Sequence, residues 1–211
     1  RDYPLALDLA RRVLEAKPGR DRTLEAYRLL LDAHLARNKR KEAAELADRL
    51  LEALPNDDEA LARALVAKAR AAGNKQQQKA ALDALRQAET RLAEKKGLPL
   101  ALVRMWLGIE LRDARKTKEA LPPLQYALAA DVLSDAETAR ALMELREIAW
   151  HAGEIPTSAD AASKVTEDRY LRTLDEDARD DQFSRLGEVL QRLDKHAEAR
   201  KAYERAERMT P

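Results

Sequence analysis

The spacing of apolar and small residues near the end of the chain sets the tightest limit on how it can fold. Counting Asp180 as position 1, Phe183, Leu186, Gly187, Leu190, Ala199, Tyr203, Ala206 and Pro211 fall at positions 4, 7, 8, 11, 20, 24, 27 and 32. Phe183, Leu186 and Leu190 share one face of a helix at i, i+3, i+7. Gly187 carries no side chain, so a second helix can approach closely there. Ala199 is small for the same reason on the returning helix. Tyr203 fills the gap between the hairpin and its neighbour, and Pro211 stops the second helix. The pattern predicts two helices folded back on each other.

The spacing recurs upstream. Leu107, Gly108, Leu111, Ala120, Leu124 and Ala127 repeat it, with Arg104 where a bulky apolar residue is usual and Val132 in place of the proline. Tyr27, Leu30, His34, Ala43, Ala47, Leu50 and Pro55 repeat it again. There Leu31 replaces the small residue, which predicts a wider splay of the two helices. Ala6, Ala10, Val13, Leu14 and Pro18 read as the second helix of a truncated unit. Between these units, one helix runs from Asp58 to Ala72, and Gly73-Asn74 turns the chain. A second runs from Gln76 to Lys96 with the stripe Ala81, Leu85, Ala88 and Leu92. Ser134 caps a helix over Asp135–Ala152, which Gly153 ends. Residues 154–180 carry a short helix near Ser158–Thr166 and a further piece near Glu167–Leu174. The sum is ten or eleven helices, and no window alternates as a strand would.

This pattern resembles the tetratricopeptide repeat (TPR): at all eight signature positions in 183–211, and at most of them in 27–55 and 104–132. The resemblance implies an all-α, right-handed α-solenoid of about five to six TPR-like hairpins. It implies one array over 1–211, with a truncated repeat 1–18 and repeats at about 21–55, 58–96, 99–132, 135–166 and 178–211. Pro18 and Pro55 are 37 residues apart, a few more than the roughly 34 of such a repeat. The excess is expected in a loop, Gly19-Arg20-Asp21-Arg22.

Composition fits. Hydrophobic residues are 45% but aromatics only 4%, so the core is built from Leu and Ala. Lys plus Arg is 39 against 38 for Asp plus Glu, which excludes the basic surplus of a nucleic-acid binder. The run Arg37-Asn38-Lys39-Arg40-Lys41 reads as a solvated turn. No apolar stretch approaches ~18 residues, so this segment is not expected to enter a membrane. There is no cysteine, hence no disulfide, thiolate zinc site or cysteine nucleophile. Both periplasm and cytosol remain open. Arg1 and Pro211 read as cuts inside a longer protein.

Catalytic chemistry is not expected. His34, His151 and His196 have no partner at ligand spacing on one helix face. Asp175-Glu176-Asp177 and Asp180-Asp181 lead into the last helix pair, where negative charge suits a helix N-terminus. No glycine-rich phosphate loop or nucleophile elbow is present. We therefore expect no enzyme activity, no cofactor and no metal site.

The resemblance does imply a partner-binding groove, lined at positions 2, 5, 9 and 12 of each first helix. Its central residues are Arg28, Asp32, Met105, Ile109, Arg112, Arg140, Met143 and Glu147. Methionine beside arginine suits a peptide with apolar and acidic groups. The competing reading makes Met105, Ile109 and Met143 core residues covered by 154–180. The Lys and Asn clamp of chaperone-tail-binding relatives is missing from these positions. Repeat style and Ala/Arg-rich composition are similar to periplasmic scaffolds of bacterial exopolysaccharide secretion machines, which act in biofilm formation. That likeness implies a periplasmic location and a partner protein such as a polysaccharide-modifying enzyme. The alternative is a cytoplasmic TPR adaptor in assembly or regulation. Exposed hairpin ends would allow self-association, and direct carbohydrate binding would have to use Trp106 or Trp150.

Overall fold

In the computed structural model, residues 3–209 are described, and among them every regular element is a helix. Pro211 and the side chain of Ala6 lie outside the described residues. The chain divides into two compact units, residues 1–110 and 111–211.

The first unit holds α1 (Tyr3–Glu15), α2 (Arg20–Ala36), α3 (Arg40–Ala53), α4 (Asp58–Ala71), α5 (Lys75–Leu92) and most of α6 (Leu98–Asp113). α1 lays Leu7 and Ala10 against Ala26, Leu30 and Ala33 of α2. A second cluster joins α2, α3 and α4 through Leu24, Leu31, Ala47, Leu50, Ala60 and Ala64. The loop expected at Gly19–Arg22 is instead the first turn of α2, with only Gly19 extended. Thr23 Oγ1 donates to the Gly19 carbonyl at 3.1 Å, and Arg20 pairs with Asp57, which caps α4. Those bonds make helix cheaper than loop for the inserted residues.

The second unit holds the last turn of α6, then α7 (Thr117–Ala129), α8 (Asp135–Ala152), α9 (Ile155–Val165), α10 (Asp168–Leu171), α11 (Glu176–Arg192) and α12 (His196–Met209). α8 begins with a capping box: the Glu137 N–H donates to Ser134 Oγ, and the Ser134 N–H donates to Glu137 Oε2 at 2.9 Å. α9 starts at Ile155 rather than near Ser158, because Pro156 is at home in a first turn. α10 is a single turn, shorter than the piece expected to reach Leu174. Arg179 Nε donates to the carbonyls of Leu171 and Leu174 at 2.8 and 3.0 Å, satisfying acceptors that a longer helix would have used.

Four hairpins turn the same way. Asn38, Arg115, Gly153 and Asp194 have φ of 55°, 61°, 81° and 58°, the left-handed region. Each stands eleven residues after the position-4 residue of its unit (Tyr27, Arg104, Leu142, Phe183). In each, the next N–H bonds back to the carbonyl five residues earlier: Lys39 to His34, Lys116 to Leu111, Glu154 to Ala149 and Lys195 to Leu190, at 2.8–3.0 Å. This is the helix-ending motif that satisfies last-turn carbonyls. The α4–α5 turn is different: Asn74 Oδ1 caps α5 by accepting from the Gln77 N–H at 2.9 Å.

Gly187 does what its spacing predicts. A Cβ there would stand 2.5 Å from Tyr203 Cε1. α11 and α12 therefore meet closely at this point. In the α2–α3 hairpin the bulk is exchanged: Leu31 takes the glycine's place and Ala47 the tyrosine's, and both are buried.

Candidate functional site

On α2, Arg28 and Asp32 lie half-buried on the outward face. Arg28 Nε donates to Glu25 Oε2 at 2.8 Å, which holds the Glu25 carboxyl below its usual range. Arg70 of α4 donates to Asp32 Oδ1 at 2.7 Å. These charges are tied to each other but remain in reach of solvent.

Met105 and Ile109 do not line a groove. They are 1% and 3% exposed, and Leu102 beside them is 2% exposed. α6 is apolar on nearly every side, and a helix of that kind belongs to a core. Those expected groove residues present nothing to a partner.

In the second unit, Arg112 pairs with Glu144 of α8. Arg140 is exposed, and Met143 and Glu147 are half-buried. Contrary to the expectation that His151 lacks a partner on its own helix face, Glu147 Oε1 meets His151 Nε2 at 3.0 Å at i, i+4, and Arg192 of α11 covers the Trp150 ring at 5.4 Å. Beside them on α11, Arg185 bridges Asp181 and Glu188 at 3.2 and 3.4 Å, and these acids raise its proton affinity. Beneath this face lies a buried polar network. Arg146 Nη1 donates to Gln182 Oε1 at 2.7 Å, and Ser158 Oγ donates to the Arg146 carbonyl at 2.9 Å. Burial lowers the proton affinity of Arg146, while Asp181 and Glu147 oppose that shift. The network fixes α8, α9 and α11 by directional bonds that apolar packing lacks.

Two clefts open on the other side of the first helices, between successive second helices. One, of about 500 Å³, lies between α1 and α3 over Tyr27, Leu30 and His34. His34 is 7% exposed and its Nδ1 has no hydrogen-bond partner. Burial lowers its pKa, so the ring is neutral at pH 7. The other cleft, of about 590 Å³, lies between α9 and α12 over Phe183, Leu186, Leu190 and Leu193. Both floors use positions 4, 7 and 11, where spacing alone points to packing.

Among the described residues no group of three or more His, Asp or Glu could hold a metal ion, and no helix is long and apolar enough to cross a membrane. No family model matches the chain, and no curated protein matches it in sequence. Solved structures do resemble it. Among them, BtubC from P. vanneervenii matches over 98% of this chain and 87% of its own, with TM-score 0.69 and 17% identity. The TPR-like repeats of a putative kinesin light chain from Podosopora anserina match over 89% and 94%, with TM-score 0.63 and 16% identity. The fold is a TPR-like α-solenoid. A third likeness, to Pseudomonas aeruginosa pilF, covers 92% of this chain and 79% of that one, with TM-score 0.65 and 20% identity.

Proposed function

We propose that this chain is a protein-binding scaffold, without catalysis of its own, that docks a partner through the outward faces of its first helices. The observation that supports this reading most is the combination of a TPR-like fold with faces rich in arginine and carboxylate. Arg28 and Asp32 on α2, and Arg112, Arg140, Met143 and Glu147 along α6 and α8, are exposed or half-buried. Paired charges at a rim can exchange an internal partner for an external one at small net cost, which favours specificity. Met143 and Trp150 supply the apolar anchor. The setting we propose is a bacterial envelope assembly such as an exopolysaccharide secretion machine, with a polysaccharide-modifying enzyme as the partner. The likeness in repeat style and composition supports that setting.

The test uses the purified chain as bait against envelope and cytosolic extracts separately, with captured proteins identified and re-tested in pure form. Arg28→Glu and Arg140→Glu are run beside it. An envelope protein that binds the wild type and is lost with either variant is the expected result. A cytosolic partner would move the reading to an adaptor of assembly or regulation. A partner kept by both variants would place binding on another surface.

A further inference from the structure

The cleft of the second unit has the shape and charge of a seat for a helix. Its floor is a stripe along α11 and its C-cap, Phe183, Leu186, Leu190 and Leu193, at i, i+3, i+7 and i+10; Leu186 and Leu193 are half-buried and open to a ligand, while Phe183 and Leu190 lie buried beneath them. At 1.5 Å per residue the stripe is about 15 Å long, room for roughly three turns of a docked helix. The walls are low where they face each other, with Ala159 and Ser163 on α9 and Ala202 on α12. Small residues on both sides let a third backbone come close.

The charge of the cleft is one-sided. Its two acids are already neutralised by neighbours: Asp160 by Lys164 at 2.9 Å and Glu198 by Lys195 at 3.9 Å. Lys201 has no carboxylate partner among the described residues, and Arg205 covers the Phe183 ring at 4.6 Å with Asp168 only at 4.0 Å. An apolar floor under a basic α12 rim complements one kind of ligand. We propose that this cleft binds an amphipathic helix of a partner protein, with leucine-like residues on one face and acidic residues along the edge that meets Lys201 and Arg205. The site is separate from the first-helix faces, so the scaffold would hold two partners at once.

The probe is a labelled amphipathic peptide of about three turns, with leucines at i, i+3 and i+7 and glutamates along one edge. Its twin carries lysines in their place. Anisotropy titration of the whole chain should show saturable binding of the acidic peptide and at least tenfold weaker binding of the basic one. Lys201→Glu with Arg205→Glu should reverse that order. Both residues are exposed, so the fold should survive, and circular dichroism checks it. Ser163→Trp, also on an exposed position, should block both peptides by filling the cleft. Absent saturable binding, equal binding of the twins, or a preference unchanged by charge reversal would overturn the proposal. So would sedimentation showing that the chain self-associates and that Ser163→Trp makes it monomeric, because a second copy would then be the occupant.

Discussion

Gly187→Ala tests whether the close approach of α11 and α12 rests on the missing side chain. The added Cβ would lie 2.5, 2.6 and 2.8 Å from Cε1, Cζ and Cδ1 of Tyr203. Carbon atoms prefer about 3.5–4.0 Å, so the ring must retreat by about 1 Å. Its hydroxyl, which donates to Gln191 Oε1 at 3.3 Å, moves with it. Overpacking of this kind costs about 1–3 kcal/mol. Against it, alanine in a helix interior gains about 0.8–1.0 kcal/mol over glycine. The net expectation is a destabilisation of roughly 1 kcal/mol, with the sign set by the clash. In a Tyr203→Ala background the obstacle is gone, and the same substitution should stabilise by about 0.8–1.0 kcal/mol. The coupling between the two sites is then about 1–3 kcal/mol. The assay is urea unfolding of all four proteins, with Trp106 replaced by Phe in each so that Trp150 reports on the second unit. Stabilisation by Gly187→Ala with Tyr203 present, or coupling indistinguishable from zero, would refute the reasoning.

Other substitutions test the turns, the cap and the buried histidine. Arg115 holds a left-handed φ of 61° without being glycine, so Arg115→Gly should raise stability by about 1 kcal/mol in the same urea assay. Ser134→Ala removes one half of the α8 capping box and should cost about 1 kcal/mol, read as faster amide exchange over Asp135–Thr138. The pKa of His34 is depressed by burial first and by Lys39 next, so the folded chain binds its proton less readily than the unfolded chain does. The stability from keeping it neutral is full above about pH 6.5 and is lost as pH falls from there toward the depressed folded value. His34→Gln should flatten the limb that falls away below about pH 6.5. Equal slopes for the two proteins would refute the assignment.

What was legible in the sequence was whatever a local pattern could encode. Gly187 and Tyr203, Ser134 and Gly153 act through neighbours one helix or one turn away, and spacing alone located them. The left-handed φ of Arg115 and Asp194 has no glycine to mark it; the constant interval from the position-4 residue encodes it. Placing Met105 and Ile109 in the groove was the deeper error. A register argument places Met105 and Ile109 on the same helix face as Arg28 and Asp32, and it treats every repeat as equivalent. Burial does not follow register when a helix is apolar all round, and the run Leu100–Val103 followed by Met105–Ile109 already carried that warning. The clefts were missed for the opposite reason. Positions 4, 7 and 11 are filled by large residues, so they read as core, yet how open they stay depends on the residues facing them across two other helices. Ala159, Ser163 and Ala202 lie too far apart in sequence to be read as opposing walls. A binding surface in such a fold is therefore a property of which second helices stand apart, and composition at those wall positions is where partner specificity in this chain should be sought.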